Sequence, residues 1–588
     1  MSNKHGGWLT RIGLFVIYSE VSKFVGEENT VRSRLAPFLL IIGVSALAHL
    51  WCLGSVFFLD DILQIRDNSW LRDGEWWKAG LLKWTYFSYW VQTKIWGFSP
   101  VGFHFVNWLL HTSVAVALYV FGRDCLSWKN ARQVSLAGAL LFVTHPLASE
   151  IPNYARTQDL AWVTLFSILA AWAAVRLMRG FSWGLLVAVI LLCVGATFSK
   201  GPGLFHAVMM VFFALVACAE REHWKVFAKR WWVVVGVLLS VSLALWLSGI
   251  TGMLYAKLVG RVDLETHQWH GVTICRVFWK FVGLFFLPKD LCADHFIAGT
   301  LSWEDEEAVP AVVGMVLWLL VSTGLIIWKK TRFFGMCLWL FVGAMAMRVL
   351  YYINEFMPEY RIYPGLPWMC LGVMVALSAG WSRLTKVSPL GLVGAFVAVL
   401  CLVSAKRSFQ WHSLERLTAA TLEVYPGQAR ALWMLQRRDA DLGDWDSIIK
   451  RQQDFPKIQK AFVMANKEMA PGKAMSAGHF IMAELACTGY FAEAIAAKGN
   501  GREVVAGYLS MERWLNARGI ERGTEKAIWG TYDRALGRVY EQSGELEKAL
   551  ESLERVEWPG KQYLDIARVK AKIAERDKDK GPSPESDG

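Results

Sequence analysis

Charge is scarce in this chain: Asp, Glu, Lys and Arg make up 19% of 588 residues, against 54% hydrophobic side chains. So apolar a composition excludes a wholly disordered chain and is high for one soluble fold. Cysteine is thin as well. There are ten, and Cys52, Cys125, Cys193, Cys218, Cys337, Cys370 and Cys401 lie in or beside apolar runs, which excludes a small disulfide scaffold and makes them small core residues. A phosphate loop, GxGxxG, HExxH, a CxxC pair and GxSxG in a suitable context are all missing, so ATP-driven transport and zinc hydrolysis lack their usual marks. The net charge of +12 first suggests nucleic acid. However, residues 1–405 hold 33 basic against 23 acidic residues, while residues 406–588 hold 29 against 27. The excess belongs to the apolar part, which points to membrane topology and away from a nucleic-acid partner.

Long apolar runs recur through that part. Eleven crossings are expected, at about 37–58, 101–121, 134–145, 160–175, 181–198, 203–219, 231–250, 309–328, 333–351, 362–381 and 387–405. Most approach the ~20 residues that a spanning helix needs, and lipid admits helices where it excludes open sheet. The run Gly271–Leu287 contains Arg276 and Lys280 and fits a re-entrant or interfacial segment better than a twelfth crossing. Six alternate segments, beginning with the amino-terminal segment 1–36, carry nineteen basic against six acidic residues. The positive-inside rule makes their side cytoplasmic, with the outer loop 59–100 and everything after residue 405 on the other side. An integral protein of a cell inner membrane or the endoplasmic reticulum is expected, with its carboxyl-terminal part periplasmic or luminal. The first apolar run begins near Pro37 without a cleavage site, so no cleavable signal peptide is expected.

From Lys406 the pattern changes to charged amphipathic helices. Three stretches resemble tetratricopeptide units: RALWMLQRRDADLGDWDSII around Gly443, FIMAELACTGYFAEAI around Gly489, and LGRVYEQSGELEKALESL around Gly544. The fold class is therefore all-α, a polytopic membrane domain over 37–405 followed by a helical repeat domain over 406–575. Residues 576–588 are polar and expected to be disordered.

Five clusters on the expected outer face carry chemistry. Asp60 and Asp61 follow the first crossing, where carboxylates are costly to desolvate and face a polar cavity or partner; a solvated helix end is the plainer reading. Adjacent carboxylates in a partly dry site repel and can hold a proton near neutral pH, which suits a general base, and Asp67 and Asn68 are near enough in sequence to join them. THPLASEIPNYARTQDL supplies His145, Glu150, Arg156 and Asp159. FSKGPG supplies Lys200, a position where snorkelling is also common. LPKDLCADHF supplies Asp290, Asp294 and His295, and EYRIYPGLP supplies Glu359, Arg361 and Tyr363. Carboxylates suit deprotonation of a hydroxyl, and Arg and Lys suit a phosphate leaving group.

In this order, FLDDILQIRDN, THPLASEIPNYARTQDL, FSKGPG, LPKDLCADH, EYRIYPGLP and RSFQWHSLERLTAATLEVYPGQARA resemble the transmembrane and tetratricopeptide-repeat-containing O-mannosyltransferases of the GT-C glycosyltransferase superfamily. The family commonly continues the lysine motif with Glu, where this chain has Gly201. The resemblance implies transfer of a sugar, mannose or another hexose, from a polyprenyl-phosphate carrier to an acceptor hydroxyl, expected on a protein or peptide held by the repeats. It implies Asp60 or Asp61 as base, and Arg156, Lys200 and Arg361 at the carrier phosphate. His145, Glu150, Asp159, Asp294, His295 and Glu359 would complete the substrate site. A divalent metal serves some members of the superfamily and not others. Two other classes stay open. A non-catalytic scaffold displaying repeats would tolerate replacement of Asp60 and Asp61, and a lipid-linked sugar transporter would favour charges at the bilayer midplane and inverted repeats.

Overall fold

The computed structural model describes residues 31–128, 130–218, 220, 264–350, 355–384, 390–467, 473–474, 477–517, 519–522, 526–556 and 563–579. Residues 1–30 of the amino-terminal segment, the seventh expected crossing (231–250) and residues 580–588 of the expected disordered tail lie outside these. Two compact units emerge. One comprises Met1–Ser55, Ala79–Leu291 and Ser302–His412, the other Val56–Lys78, Cys292–Leu301 and Ser413–Gly588.

The first unit is a helical bundle: α1 (Val31–His49), α2 (Lys83–Trp96), α3 (Pro100–Cys125), α4 (Ala131–Thr144), α5 (Gln158–Arg179), α6 (Trp183–Ser199), α7 (Gly203–Cys218), α8 (Leu264–Phe286), α9 (Ala308–Ile327), α10 (Arg332–Leu350), α11 (Leu366–Leu384) and α12 (Leu390–Gln410). Ten of these fall on ten of the expected crossings. Seven helices of the described chain are long and apolar enough to span a bilayer, six of them in this unit. The chain is an all-α polytopic membrane protein. The third crossing is broken: α4 and the segment Pro146–Asn153 meet at a 60° bend, where Pro146 cannot continue the helical hydrogen bonding. The run expected to be re-entrant forms α8, 23 residues long, and its Arg276 pairs with Asp305 at 3.2 Å and Glu307 at 2.7 Å. Leu317, Leu320, Val321 and Ile327 of α9 are exposed, as expected of side chains whose solvent is lipid.

The second unit is built from α13 (Leu414–Val424), α14 (Ala429–Leu442), α15 (Trp445–Gln452), α16 (Phe455–Lys467), α17 (Ala477–Ile495), α18 (Gly501–Asn516), α19 (Lys526–Gln542), α20 (Leu546–Glu554) and α21 (Tyr563–Asp579). Two of the three expected hairpins are present. α14 and α15 turn at Gly443 (φ 71°), and α19 and α20 turn at Gly544 (φ 81°). Both helices end alike: Asp444 N donates to Asp439 O and Glu545 N to Tyr540 O, the capping in which glycine takes the left-handed conformation without a steric penalty. The middle hairpin is not as expected, because α17 runs unbroken through Gly489. That glycine serves packing: a Cβ there would stand 2.4 Å from the Cβ of Ala535 on α19.

Two further boundaries differ from expectation. Val56–Lys78 and Cys292–Leu301, expected among the outer loops of the membrane domain, group with the repeats. Ion pairs explain this: Asp67 with Arg437 at 2.9 Å, Arg66 with Asp441 at 3.0 Å, and Asp294 with Arg430. A two-residue antiparallel pairing of β1 (Gly299–Thr300) with β2 (Lys473–Ala474) adds to them. At the carboxyl end, α21 continues to Asp579 instead of stopping at 575. Ile573 packs on the repeat core and Arg576 reaches Glu547 at 2.6 Å, which extends the helix.

Candidate active site

In the membrane unit the site grows from the break after α4. Residues 144–161 are almost entirely buried, yet between His145 and Thr157 the backbone is broken into short turns, so its polar groups need partners that lipid cannot supply. Neighbouring helices provide them. Asn107 Nδ2 on α3 donates to the carbonyls of Ile151 (2.8 Å) and Tyr154 (2.9 Å), and His104 Nδ1 lies 3.1 Å from Pro152 O. Tyr89 on α2 donates its hydroxyl to Arg156 O at 3.1 Å. Arg407 near the end of α12 donates Nε to Ser149 Oγ at 3.0 Å and pairs with Glu359. Glu150 Oε2 accepts from Tyr360 N at 2.7 Å. His145 offers Nδ1 to Leu147 N at 3.2 Å, holds Nε2 2.9 Å from Phe285 O, and stacks on the Phe285 ring. Of the residues expected at the site, His145, Glu150 and Glu359 thus tie the broken segment to the turn Glu359–Ile362 and to α8 and α12.

That framework presents cations. Arg156 Nη1 and Lys200 Nζ each lie 2.5 Å from the same oxygen of buried Asp159, Oδ2, while Asp159 Oδ1 has no partner. Lys200, one residue beyond α6, is fixed by the turn that opens α7. Gly203 N donates to Lys200 O at 2.8 Å, and a Cβ on Gly203 would stand 1.8 Å from Ala196 O, so only glycine fits there. Lys200 Nζ is 5.8 Å and Arg361 Cζ 4.9 Å from the centre of the Tyr360 ring, so both cations lie within reach of one aromatic ring. Burial, opposed by Asp159 and reinforced by Arg156 and Arg361, lowers the Lys200 ammonium to about 7. One buried carboxylate shared by two cations leaves positive charge over, which suits an anion.

Three side chains of this site were not singled out from sequence. Arg348 on α10 is 6% exposed, with Nε and Nη1 unpartnered. Its signal was available: a lone arginine inside an apolar run is functional by default. His206 in the first turn of α7 is buried with Nδ1 unpartnered and feels the charge of Lys200. Tyr360, within the quoted EYRIYPGLP, supplies the ring that both Lys200 and Arg361 approach.

Two expected residues of the first unit stand outside the cluster: Asp290 is exposed, 3.9 Å from Lys289, and the hydroxyl of buried Tyr363 lies 2.9 Å from His111 Nδ1. The remaining ones belong to the second unit. Asp61 is fully buried, and its Oδ2 accepts from Phe58 N at 3.1 Å, closing the turn before a single π-helical turn at Ile62–Arg66. Asp60 is partly exposed and accepts from Gln64 Nε2 at 3.2 Å. Leu59, immediately before them, has φ 38°, left-handed backbone that a branched side chain rarely adopts; such strain and π-turns concentrate at functional sites. Asp67 is engaged by Arg66 at 2.7 Å and Arg437 at 2.9 Å, and Asn68 caps the following turn at Trp70 N, so both serve the fold of this segment. Asp294 is held by Arg430 from two nitrogens, and His295 Nδ1 lies 3.2 Å from the Tyr425 hydroxyl. Among the described residues, no group of three His, Cys, Asp or Glu stands close enough to hold a metal ion.

Fold and site together define a polytopic helical membrane protein with a buried, cation-rich cluster and a separate acidic pair on a strained turn. The chain is similar to a protein O-mannosyl-transferase of Caenorhabditis elegans, 20% identical over 461 residues, an alignment covering 72% of this chain and 64% of that protein. It therefore spans less than two thirds of that relative's length. No family model matches, and no solved structure does either.

Proposed function

We propose that this protein is a membrane glycosyltransferase that moves a hexose, mannose in the first instance, from a polyprenyl-phosphate carrier to an acceptor hydroxyl on a protein, on the outer face of the membrane. The observation that carries this reading is the Arg156–Asp159–Lys200 cluster. Its positive charge exceeds its carboxylate charge, and it lies at the ends of apolar helices, where the headgroup of a long-chain lipid phosphate would lie. The similarity to a protein O-mannosyl-transferase supports the same reaction class. Arg156, Lys200 and Arg361 bind the carrier phosphate, and Asp159 is a positioning residue that holds Arg156 and Lys200 together. Of the acidic pair, Asp60 is the base: it is the partly exposed one, while Asp61 is committed to closing its turn. The repeats recruit or orient the acceptor, and the basic loops place the amino terminus in the cytoplasm and the repeats outside.

The test is transfer by the purified full chain in nanodiscs, supplied with labelled polyprenyl-phosphate mannose and an acceptor peptide. Loss of a general base should cost the Asp60→Asn protein about 10²- to 10⁴-fold in transfer rate. Full activity of Asp60→Asn and Asp61→Asn would favour the scaffold reading. Carrier flipping without transfer would favour the transporter.

A further inference from the structure

We propose that Arg348 is a ligand of the leaving phosphate, matched to the polyprenyl monophosphate that sugar transfer releases; this rests on the reading above. Arg348 has Tyr360 and the Glu355 carboxylate within electrostatic reach, but its hydrogen bonding is incomplete. Arg348 is a buried guanidinium on an apolar helix whose Nη2 donates to the carbonyl of Glu355, while Nε and Nη1 have no partner. A buried cation left so is strongly destabilising unless something else satisfies it. Its place is well held. His270 Nε2 lies 2.7 Å from Arg348 O, and Gly365 packs so closely on α10 that a Cβ would stand 2.8 Å from Phe341 O. Gly365 ends the turn that carries Tyr360 and Arg361, and both of these lie within electrostatic reach of Arg348. Arg361 in turn reaches Lys200, which makes Arg348 the far member of one chain of cations.

The chain carries more charge than the donor needs. Arg156, Lys200, Arg348 and Arg361 supply four positive charges against two carboxylates, Asp159 shared by Arg156 and Lys200 and Glu355 within electrostatic reach of Arg348, which leaves two. A polyprenyl-phosphate sugar is a phosphodiester with one negative charge. In transfer, the acceptor oxygen bonds to the sugar C1 and its proton passes to the base. The bond from C1 to the phosphate oxygen breaks with its electron pair left on that oxygen, so the phosphate becomes a monoester dianion. The second charge appears only as the bond breaks. A cation that meets it favours the transition state and the product over the bound donor.

The probes are decaprenyl phosphate and its methyl diester, with Arg348→Gln and Arg348→Lys in the full chain in nanodiscs. Arg348→Gln should lower kcat on the order of 10- to 100-fold with donor KM changed less than about threefold, and weaken inhibition by decaprenyl phosphate by a similar factor. Inhibition by the methyl diester should stay unchanged, and Arg348→Lys should recover part of the difference. A purely structural arginine would not separate monoester from diester, so equal weakening of both, or a rise in KM alone, overturns the proposal. If Arg348→Gln does not fold, Arg348→Lys carries the comparison: an undiminished preference for the monoester also overturns it. If the wild type transfers no sugar, the functional reading fails by itself. Thermal-shift preference for the monoester over the diester, lost in Arg348→Gln, then still supports the anion site.

Discussion

In the repeat unit, Asp565 accepts from Arg534 at 2.9 Å and from Arg538 and Arg568 at 3.0 Å each, and Arg538 also reaches Glu493 at 2.8 Å. In the membrane unit, Arg156 and Lys200 share one oxygen of Asp159, and neither Arg348 nor Arg361 makes an ion pair with a described residue. Both clusters bury several arginines at comparable depth. The first is close to neutral: around a cavity of about 490 Å³, Arg66, Arg534, Arg538, Arg568 and Lys572 face Asp67, Asp441, Glu493, Glu541 and Asp565. A network that satisfies itself holds helices in register and has little charge left for a ligand. A network with cations left over stays costly until an anion arrives. Buried charge alone therefore does not mark a binding site; the imbalance does.

The sharpest way to break this comparison is to remove one arginine from each network. Arg538→Ala strips partners from Glu493 and Asp565, both buried. It should cost about 3–5 kcal/mol of repeat stability, the usual penalty for a buried charge left alone. Hydrogen exchange should show it as lost protection in α17, α19 and α21, with donor affinity little changed. Protection equal to wild type would mean that the network does not hold the repeats. Arg156→Ala and Lys200→Ala should behave the other way round. Each should weaken donor binding by about 1.5–3 kcal/mol, on the order of 10- to 100-fold. Repeat protection should stay as in wild type. Unchanged donor dependence in both variants would remove the phosphate assignment.

How much of this was legible in the sequence follows the same division. The helices were, because a long apolar run has one solution in lipid: ten of the described helices fall where hydropathy put them, and six of these are long and apolar enough to span a bilayer. Lys200, Arg156 and Asp159 were legible as charges at helix ends, though the shared oxygen that makes them one cluster was not. Arg348 was overlooked because it sits inside a run that otherwise reads as a clean crossing. Gly443 and Gly544 gave their hairpins correctly, since each needs the left-handed conformation. Gly489 misled, because a glycine that admits a close neighbour leaves the same letter as one that makes a turn. Grouping of residues 56–78 and 292–301 with the repeats was not legible: it depends on Asp67 and Asp294 meeting arginines about 370 and 136 positions away, and no local pattern encodes such pairings.

The smallest expected effect concerns pH and should run in opposite directions in the two units. Arg534 and Arg538, acting against burial, hold Asp565 well below the usual carboxylate range. A depressed carboxylate stabilises the fold above its unfolded value, near 3.9, and that contribution is lost as pH falls toward the folded value. The repeats should therefore lose protection only below about pH 4, and Asp565→Asn should remove most of that dependence. Lys200, lowered by burial to about 7, gives up its proton as pH rises through neutrality. Donor phosphate favours the protonated form, so binding must then draw a proton from solution. Affinity should be level below pH 7 and fall above it, by at most about tenfold per pH unit while only the complex keeps that proton. Arg in place of Lys stays charged, so Lys200→Arg should flatten the profile even if its affinity at pH 6 is lower. Donor affinity measured from pH 6 to 8.5, with hydrogen exchange of the repeats over the same range as control, decides it. A wild-type profile flat across pH 7, or a fall of equal size in Lys200→Arg, would show that Lys200 is not the group that meets the phosphate.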